Sequence, residues 1–314
     1  MKTNGISRRS FLQSSAVASA ALMVGAPALT SCGDKKVSLT ETCINLKNVS
    51  CFRGVQIGAI TYSYRDQSNR AGDMLLYALA GGVGSLELMG DAAATFTGSP
   101  DINDPESVKK VLGKYTCLGK LFRQQGVDVH IIKSGVSDDD KWMKFNLDAC
   151  AALGAAGITT ELDERVAKEI APKFEEAGKY LIFHNHGQPS EANFPGWDAY
   201  LKYSKAAMLN FDAGHYFGFT GNNPCDVIQE YHDRIYSIHM KDKTAPTADP
   251  GNFNKPWGEG GTPIAEVLEL LAKNAGKADW PHHVDIELEY DVPAGSTPCC
   301  EVRKCVDFAR NILK

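Results

Sequence analysis

The 314-residue chain lacks the excess of positive charge that is typical of nucleic-acid-binding proteins. Lys and Arg number 33 against 38 Asp and Glu, for a formal net charge of -5. An acidic chain is not attracted to phosphate backbones in general, so we predict no nucleic-acid partner. The nine cysteines contain no CxxC pair, which argues against a structural zinc knuckle.

The chain also lacks an apolar run long enough to cross a bilayer comfortably. Residues 16–29 are only weakly apolar and fall short of the ~20 residues that a spanning helix needs. They follow Ser-Arg-Arg-Ser-Phe-Leu at residues 7–12, a twin-arginine export signature. Leu-Thr-Ser-Cys at residues 29–32 resembles a lipoprotein processing box, in which Cys32 is lipidated. The alternative is an unlipidated signal peptide cleaved near residues 26–28.

No glycine-rich dinucleotide fingerprint follows the first predicted strand, and no glycine loop is suited to gripping a phosphate. Gly81-Gly82-Val83-Gly84 follows a predicted helix, where it indicates a helix stop and a turn. Export by the twin-arginine route also separates the protein from sugar phosphates, which are cytoplasmic metabolites. We therefore expect an unphosphorylated substrate, met in the periplasm by a protein that is either free or lipid-anchored.

The body of the chain alternates regularly between strands and helices. Residues 1–32 are predicted to be the signal peptide, residues 33–51 a polar tether and residues 52–314 one domain without an internal boundary. Eight strands are predicted, over residues 55–62, 85–89, 127–133, 157–161, 180–184, 208–212, 235–239 and 283–289. A helix or loop follows each strand, which favours parallel βαβ units. Eight units in about 260 residues predict a closed (β/α)8 TIM barrel of the α/β class rather than an open sheet.

Polar and charged residues follow strands four to eight of this predicted barrel. They are Glu161, His184, His186, Asp212, His215, His239, Lys241, Glu287 and Glu289. Active sites of such barrels lie at the carboxyl ends of the strands. Any one of these residues alone would pass for a cap or an exposed turn, but successive strands ending in this way predict one shared site. Asp212, His239 and a Glu form a set suited to Mn²⁺, Mg²⁺, Co²⁺ or Zn²⁺.

Five short motifs connect the chain to a known family. They are Phe183-His184-Asn185-His186-Gly187, Asn210-Phe211-Asp212-Ala213-Gly214-His215, Ile238-His239-Met240-Lys241-Asp242, Gly258-Glu259-Gly260 and Ile286-Glu287-Leu288-Glu289. In this order they resemble the xylose-isomerase-like barrel superfamily of sugar isomerases and epimerases. That superfamily includes tagatose and psicose 3-epimerases, inosose dehydratase and inosose isomerase. The resemblance extends over residues 54–313 and does not specify a substrate.

The resemblance implies a divalent cation held by Glu, Asp, His and Glu. Three positions carry over as Asp212, His239 and Glu287, with Glu289 as the rival for the last. The first Glu is missing from strand five, where His184 stands. Either His184 is the ligand or Glu161 reaches across from strand four. We favour Glu161, because a third carboxylate suits a hard cation better.

The family's shared chemistry is removal of a proton next to a carbonyl or hydroxyl carbon, with the metal as Lewis acid. The candidate acid–base groups are His184, His186, Lys241 and Glu289. The candidate substrate contacts are His215, Trp257 and Glu259. Trp142 and Trp197 are further candidates for stacking on a sugar, and core packing is the alternative for all three tryptophans. Without the first Glu, the proton exchange between two glutamates used by the epimerases is in doubt.

Three functions remain open on the sequence. The first is a metal-dependent isomerase or epimerase acting on an unphosphorylated sugar or keto-sugar. The second is a lyase or dehydratase that cleaves a 3-keto-glycoside by β-elimination. The third is a non-catalytic sugar-binding lipoprotein. The expected partner is a small carbohydrate, with membrane contact only through a lipid. Cys43 with Cys51, or Cys305 with Cys299 or Cys300, form disulfides in an oxidising compartment unless the thiols are free.

Overall fold

The computed structural model of the protein describes residues 49–314. The signal peptide, Cys32, Cys43 and most of the tether lie outside the described residues. Eight strands, labelled β1 to β8, form the centre of the fold. They are Val55–Ile60, Ser85–Met89, Asp128–Lys133, Gly157–Glu161, Tyr180–His184, Ala207–Asp212, Ile235–Met240 and His283–Ile286.

The strands close into a barrel. Each pairs in parallel with the next, and β1 pairs with both β2 and β8. A short strand, Cys51–Phe52, pairs antiparallel with the amino-terminal end of β1. The predicted (β/α)8 barrel is confirmed, and the predicted strands agree with the observed ones to within three residues at every end.

Ten helices, α1 to α10, surround the barrel in the described part of the chain. They are Ala71–Gly81, Gly90–Thr97, Pro105–Gln124, Asp140–Leu153, Glu164–Glu176, Asp198–Leu201, Ala213–Thr220, Pro224–Glu230, Ile264–Asn274 and Pro298–Ile312. Side-chain caps start several of them: Asp104, Asp139, Asp163 and Thr297 accept from backbone N–H groups of the first turn. Within residues 49–314, no helix is both long and apolar enough to span a bilayer.

Two of these helices were not predicted. Gly90–Thr97 and Ala213–Thr220 each follow a barrel strand immediately, and both contain glycine, which weakens a helical pattern. Asp212 is the N-cap of the second of these helices, α7, and its side chain accepts from the backbone N–H of His215 at 2.7 Å. His215 therefore lies in the first turn of a helix rather than on an extended strand end.

The interior of the barrel is unusually polar. TIM barrels normally fill this space with branched aliphatic side chains. Here buried polar side chains reach across between strands that are not neighbours in the sheet. His130 on β3 lies 3.0 Å from Asp285 on β8, and Glu87 on β2 lies 2.6 Å from His239 on β7. Such groups need partners because burial removes their water.

The apolar core lies between the barrel and the helices, and it includes Cys305 on α10. Cys305 is buried there as a free thiol, and Cys299 and Cys300 are free as well. Of the two alternatives that the sequence left open for Cys305, a disulfide or a free thiol, the structure has the free thiol. Burial raises the pKa of the Cys305 thiol, which makes it unreactive.

Candidate active site

Four side chains from four strands converge at the carboxyl end of the barrel. Asp212 and His239 are register partners on β6 and β7. Together with His184 from the end of β5 and Glu287 just beyond β8, they offer ligand atoms that all lie within 4.8 Å of one another. All four residues are buried. The strand ends thus bring together three of the four predicted metal ligands.

His239 lies between two glutamates. Its Nδ1 is 2.8 Å from Glu287 Oε2, and its Nε2 is 2.6 Å from Glu87 Oε2. Burial opposes a charge on this imidazole, but the two carboxylates raise its pKa well above its usual value. The ring is therefore held at both nitrogen atoms, with Nδ1 on the same side as the convergent ligand set.

Lys241 brings a buried positive charge to the same set. Its Nζ lies 2.9 Å from Asp212 Oδ2, 2.8 Å from Glu287 Oε2 and 3.0 Å from Glu289 Oε2. Burial lowers the pKa of this ammonium, and the three carboxylates more than reverse that effect. Lys241 is therefore protonated at neutral pH, as a charged hydrogen-bond donor rather than a base.

Glu161 does not join the convergent set, contrary to our preference for it over His184. It faces His184 in the register of β4 and β5, but its side chain is 51% exposed and turns to Lys133 at 2.5 Å and His186 at 3.2 Å. Burial raises the pKa of this carboxyl, while the His186 and Lys133 contacts lower it to about 2. Glu161 is thus already paired at the rim, and the alternative ligand, His184, occupies the fourth position.

The two other histidines line the mouth above this set. His215 is buried, and its Nε2 lies 2.8 Å from Lys241 Nζ. Burial and the Lys241 charge lower the pKa of His215 to about 2, so its imidazole is neutral and accepts from the ammonium. His186 has a side chain that is 47% exposed, and its ring centroid lies 5.0 Å from that of His215. His186 is thus accessible to a ligand in the mouth.

Trp257 and Glu259 do not lie where we expected substrate contacts. Trp257 is 8% exposed and packs edge-on against Phe308 of α10, and Glu259 is exposed on the surface. The loop carrying them is fixed from below by Asp242, which accepts from the backbone N–H groups of Gly258, Gly260 and Thr262 at 2.8 to 3.0 Å. The close approach of this carboxylate explains the second glycine of the Gly-Glu-Gly motif, because a Cβ atom on Gly260 would lie 2.3 Å from Asp242 Oδ1.

Trp142 and Trp197 pack against other aromatic rings, so core packing describes them as well. Trp142 meets Phe145 edge-on, and Trp197 meets Phe211. The aromatic ring near the mouth is Phe219 on α7, which is 38% exposed. Its centroid is 5.9 Å from that of His215.

Sequence reasoning missed Glu87 and Asn210 as well as Phe219. Glu87 lies in the middle of β2, where the apolar neighbours Leu86 and Leu88 mark a buried strand. A Glu within such a strand is a signal that could have been used, because burying a carboxylate requires partners. Asn210 appears within the Asp212 motif and points inward from β6, where its Nδ2 lies 2.8 Å from Glu87 Oε2.

The convergent set fits a divalent cation. It combines two imidazoles and two carboxylates, a mixture that suits Zn²⁺, Co²⁺ or Mn²⁺ better than Mg²⁺ or Ca²⁺. Asp212 Oδ2 and His184 Nδ1 are buried without a hydrogen bond of good geometry, although Lys241 lies near the first. Burial, helped by the charge of His239, lowers the pKa of His184 well below its usual value, so the ring is neutral and one of its nitrogen atoms has a lone pair for a metal.

Comparison with known proteins agrees with the fold and the export signal. Residues 5–25 match the TAT (twin-arginine translocation) pathway signal sequence, which confirms the predicted signal and supports export by that route. A 172-residue stretch is 26% identical to inosose dehydratase from Lacticaseibacillus casei and covers 48% of this chain. The match spans about half, 55%, of that enzyme's length.

The solved structures similar to the chain are xylose isomerase-like TIM barrels. D-psicose 3-epimerase, crystallised in the presence of D-fructose, superimposes with a TM-score of 0.55 at 13% identity, covering 82% of this chain and 99% of that one. A sugar phosphate isomerase/epimerase from Parabacteroides distasonis gives 0.56 at 18% identity, covering 83% and 98%. The probable 3-DHS dehydratase from Bacillus anthracis gives 0.56 at 15% identity, covering 80% and 98%. At these identities the likeness shows the fold.

Proposed function

We propose that the protein is a divalent-metal-dependent enzyme that removes a proton next to the carbonyl of an unphosphorylated sugar or keto-sugar, and returns it as an isomerase or epimerase does. The observation that carries this proposal is the convergence of His184, Asp212, His239 and Glu287 beneath the charged Lys241. A sugar-binding protein without catalysis has no need of this ligand set. Likeness to D-psicose 3-epimerase and to a sugar phosphate isomerase/epimerase supports the same chemistry.

The four convergent residues would hold the cation, which when bound acts as a Lewis acid toward substrate oxygen atoms. Lys241 adds a second fixed positive charge within 3.0 Å of three carboxylates. Negative charge that develops on a substrate oxygen in the mouth would be stabilised by this ammonium, which is already in position and needs no reorganisation.

Two groups at the mouth, Glu289 and His186, would move the proton. Glu289 is 21% exposed and lies 3.0 Å from Lys241 Nζ and 3.6 Å from His215 Nε2, while His186 is about half exposed with its ring centroid 5.0 Å from that of His215. The two follow different strands, β8 and β5, so they approach a bound sugar from different directions. Phe219 adds an apolar ring at the rim for the nonpolar face of the sugar.

Elimination of a β-substituent, as in a dehydratase or a lyase on a 3-keto-glycoside, is the second candidate. His184 favours it, because this residue replaces the glutamate that would pair with Glu287 in a two-glutamate proton exchange. A neutral buried imidazole does not act as that second carboxylate base, whereas elimination needs one base only. The 26% identity to inosose dehydratase favours it as well.

NMR spectroscopy in D₂O tests both candidates. The protein from Gly33 onward, loaded with Mn²⁺ or Co²⁺ and then freed of excess metal, is incubated with plain sugars and 3-keto-glycosides. Deuterium incorporation with an intact carbon skeleton supports the isomerase or epimerase. Loss of a β-substituent with new alkene signals supports the dehydratase or lyase.

Asp212→Asn is the matched negative variant, since an Asn retains the helix cap of α7 but weakens the ligand set. Asp226→Asn, an exposed acidic position on α8, is the control. Turnover that is lost in Asp212→Asn and retained in Asp226→Asn is the expected result. If the wild type binds sugars but exchanges no proton and binds no metal, the protein is a binding module and the enzymatic proposal is wrong.

A further inference from the structure

Glu87 is a fully buried carboxylate below the convergent metal set and does not belong to it. It lies on β2, and its Oε2 contacts two groups across the barrel: His239 Nε2 at 2.6 Å and Asn210 Nδ2 at 2.8 Å. Neither partner is on a strand adjacent to β2. Burying a carboxylate is costly, and here the cost is offset by the two donors on β6 and β7.

The short contact specifies where the proton of His239 is. A carboxylate oxygen 2.6 Å from an imidazole nitrogen requires a hydrogen between them, because two acceptors at that distance repel. Nε2 therefore carries the hydrogen and donates it to Glu87. By the same reasoning Nδ1, which lies 2.8 Å from Glu287 Oε2, also carries a hydrogen in the metal-free protein, and a cation that binds Nδ1 displaces that hydrogen alone.

Asn210 supplies the competing arrangement. Its Nδ2 lies 3.0 Å from His239 Nε2 as well as 2.8 Å from Glu87. Without the carboxylate, the amide would donate to Nε2, and the proton of the neutral imidazole would move to Nδ1. That tautomer places a hydrogen where a metal would bind. The charge of Glu87 thus decides whether Nε2 donates to the carboxylate or accepts from the Asn210 amide.

We propose that Glu87 is a positioning residue that accepts the Nε2–H hydrogen of His239 and so leaves Nδ1 as the nitrogen that binds a metal. The proposal rests on the function proposed above, since it assumes that His239 binds the cation. Carboxylates that orient a ligand histidine commonly change metal affinity by about 10- to 100-fold. We expect Glu87→Gln to weaken Zn²⁺ binding by a factor in that range, because Gln offers a neutral acceptor and a donor in the same space.

Zn²⁺ alone is the probe. Its affinity for the protein is measured by competition with a chelating dye, and two further properties are measured beside it. The first is the tautomer of His239 in Zn²⁺-loaded protein labelled with ¹⁵N-histidine, in which eight imidazoles are present and His239→Asn assigns the signal. The second is the melting temperature of the metal-free protein. Glu301→Gln is the matched control, since Glu301 on α10 is an equally buried glutamate that accepts from Tyr290 and Ser296 and does not contact the metal set.

The expected result is the Nε2–H tautomer of His239 in the Zn²⁺-loaded wild type, and weaker Zn²⁺ binding in Glu87→Gln only. Equal Zn²⁺ affinity of wild type and Glu87→Gln, or an Nδ1–H tautomer in the Zn²⁺-loaded wild type, overturns the inference. The tautomer of the wild type decides the question even where Glu87→Gln does not fold. Absence of Zn²⁺ binding to the wild type would instead refute the proposed function.

Discussion

His215 is a buried imidazole whose nearest charged neighbour is a lysine. Burial and the Lys241 ammonium lower its pKa from 6.5 to about 2. Below pH 6.5 the unfolded chain therefore binds a proton at this residue that the native protein does not bind. Stability is retained above pH 6.5 and falls as the pH decreases, by up to about 1.4 kcal/mol per pH unit.

We predict that His215→Asn removes this contribution to acid sensitivity. The variant's free energy of unfolding should fall less steeply than that of the wild type between pH 6 and pH 4. Urea unfolding at a series of pH values measures the two slopes. Parallel curves would show that His215 is protonated in the native protein, and would contradict its role as an acceptor for Lys241.

His184 determines the balance of nitrogen and oxygen in the candidate metal site. Replacing it by Glu gives three carboxylates and one imidazole, a harder set. We predict that His184→Glu improves the affinity for Mg²⁺ or Mn²⁺ relative to Zn²⁺ by about tenfold, judged by ligand hardness. Isothermal titration calorimetry with each metal measures the ratio. Glu161→Gln should leave that ratio unchanged, because Glu161 lies outside the set.

At the level of elements, the loop between β7 and α9 depends on one buried carboxylate. Asp242 accepts three backbone N–H groups from residues 258, 260 and 262. Burial raises the pKa of this carboxyl and the N–H donors of the loop partly offset that rise, so the loop replaces part of the solvation that the charge has lost. Lys241, Asp242 and Lys243 are all buried, so this segment is not an exposed turn.

We predict that Asp242→Ala destabilises the protein by about 3 kcal/mol, because three charge-assisted hydrogen bonds to buried N–H groups are lost together. Hydrogen exchange followed by mass spectrometry should show faster exchange at residues 258–262 and unchanged protection of the barrel strands. Asp242→Asn retains an acceptor and should lose less. Unchanged exchange in the loop would mean that other contacts hold it.

Strands were easier to predict than the short helices that follow them. The eight strands are buried on both faces and alternate with turns, which is a strong pattern. Helix α7 contains Gly214 and Gly218, and its residues overlap the Asp212–His215 motif, so the sequence alone favoured an extended strand end. The side-chain cap of Asp212 and the packing of both glycines against Lys241 and Lys243 make the helix form.

At the level of the whole molecule, the amino-terminal signal and the barrel are independent features. The twin-arginine match at residues 5–25 supports export, while a lipid on Cys32 stays a prediction. Replacing Arg8 and Arg9 together by Lys should leave the protein in the cytoplasm.

Cys32→Ser should move exported protein from the membrane fraction to the soluble fraction. Immunoblots of fractionated cells measure both, and membrane association of Cys32→Ser would contradict lipidation.

The sequence by itself determined the barrel, the carboxyl-end location of the site and the roles expected of Asp212, His239 and Glu287 as a group. These depend on strand periodicity and on which residues end each strand, and both are local properties. The sequence did not decide between Glu161 and His184, and it did not reveal Glu87. Those outcomes depend on partners far apart in the chain: Lys133 and His186 hold Glu161 at the rim, and His239 and Asn210 hold Glu87 inside. Only the closed barrel brings those partners within hydrogen-bond distance, so only the tertiary structure assigned each carboxylate its place.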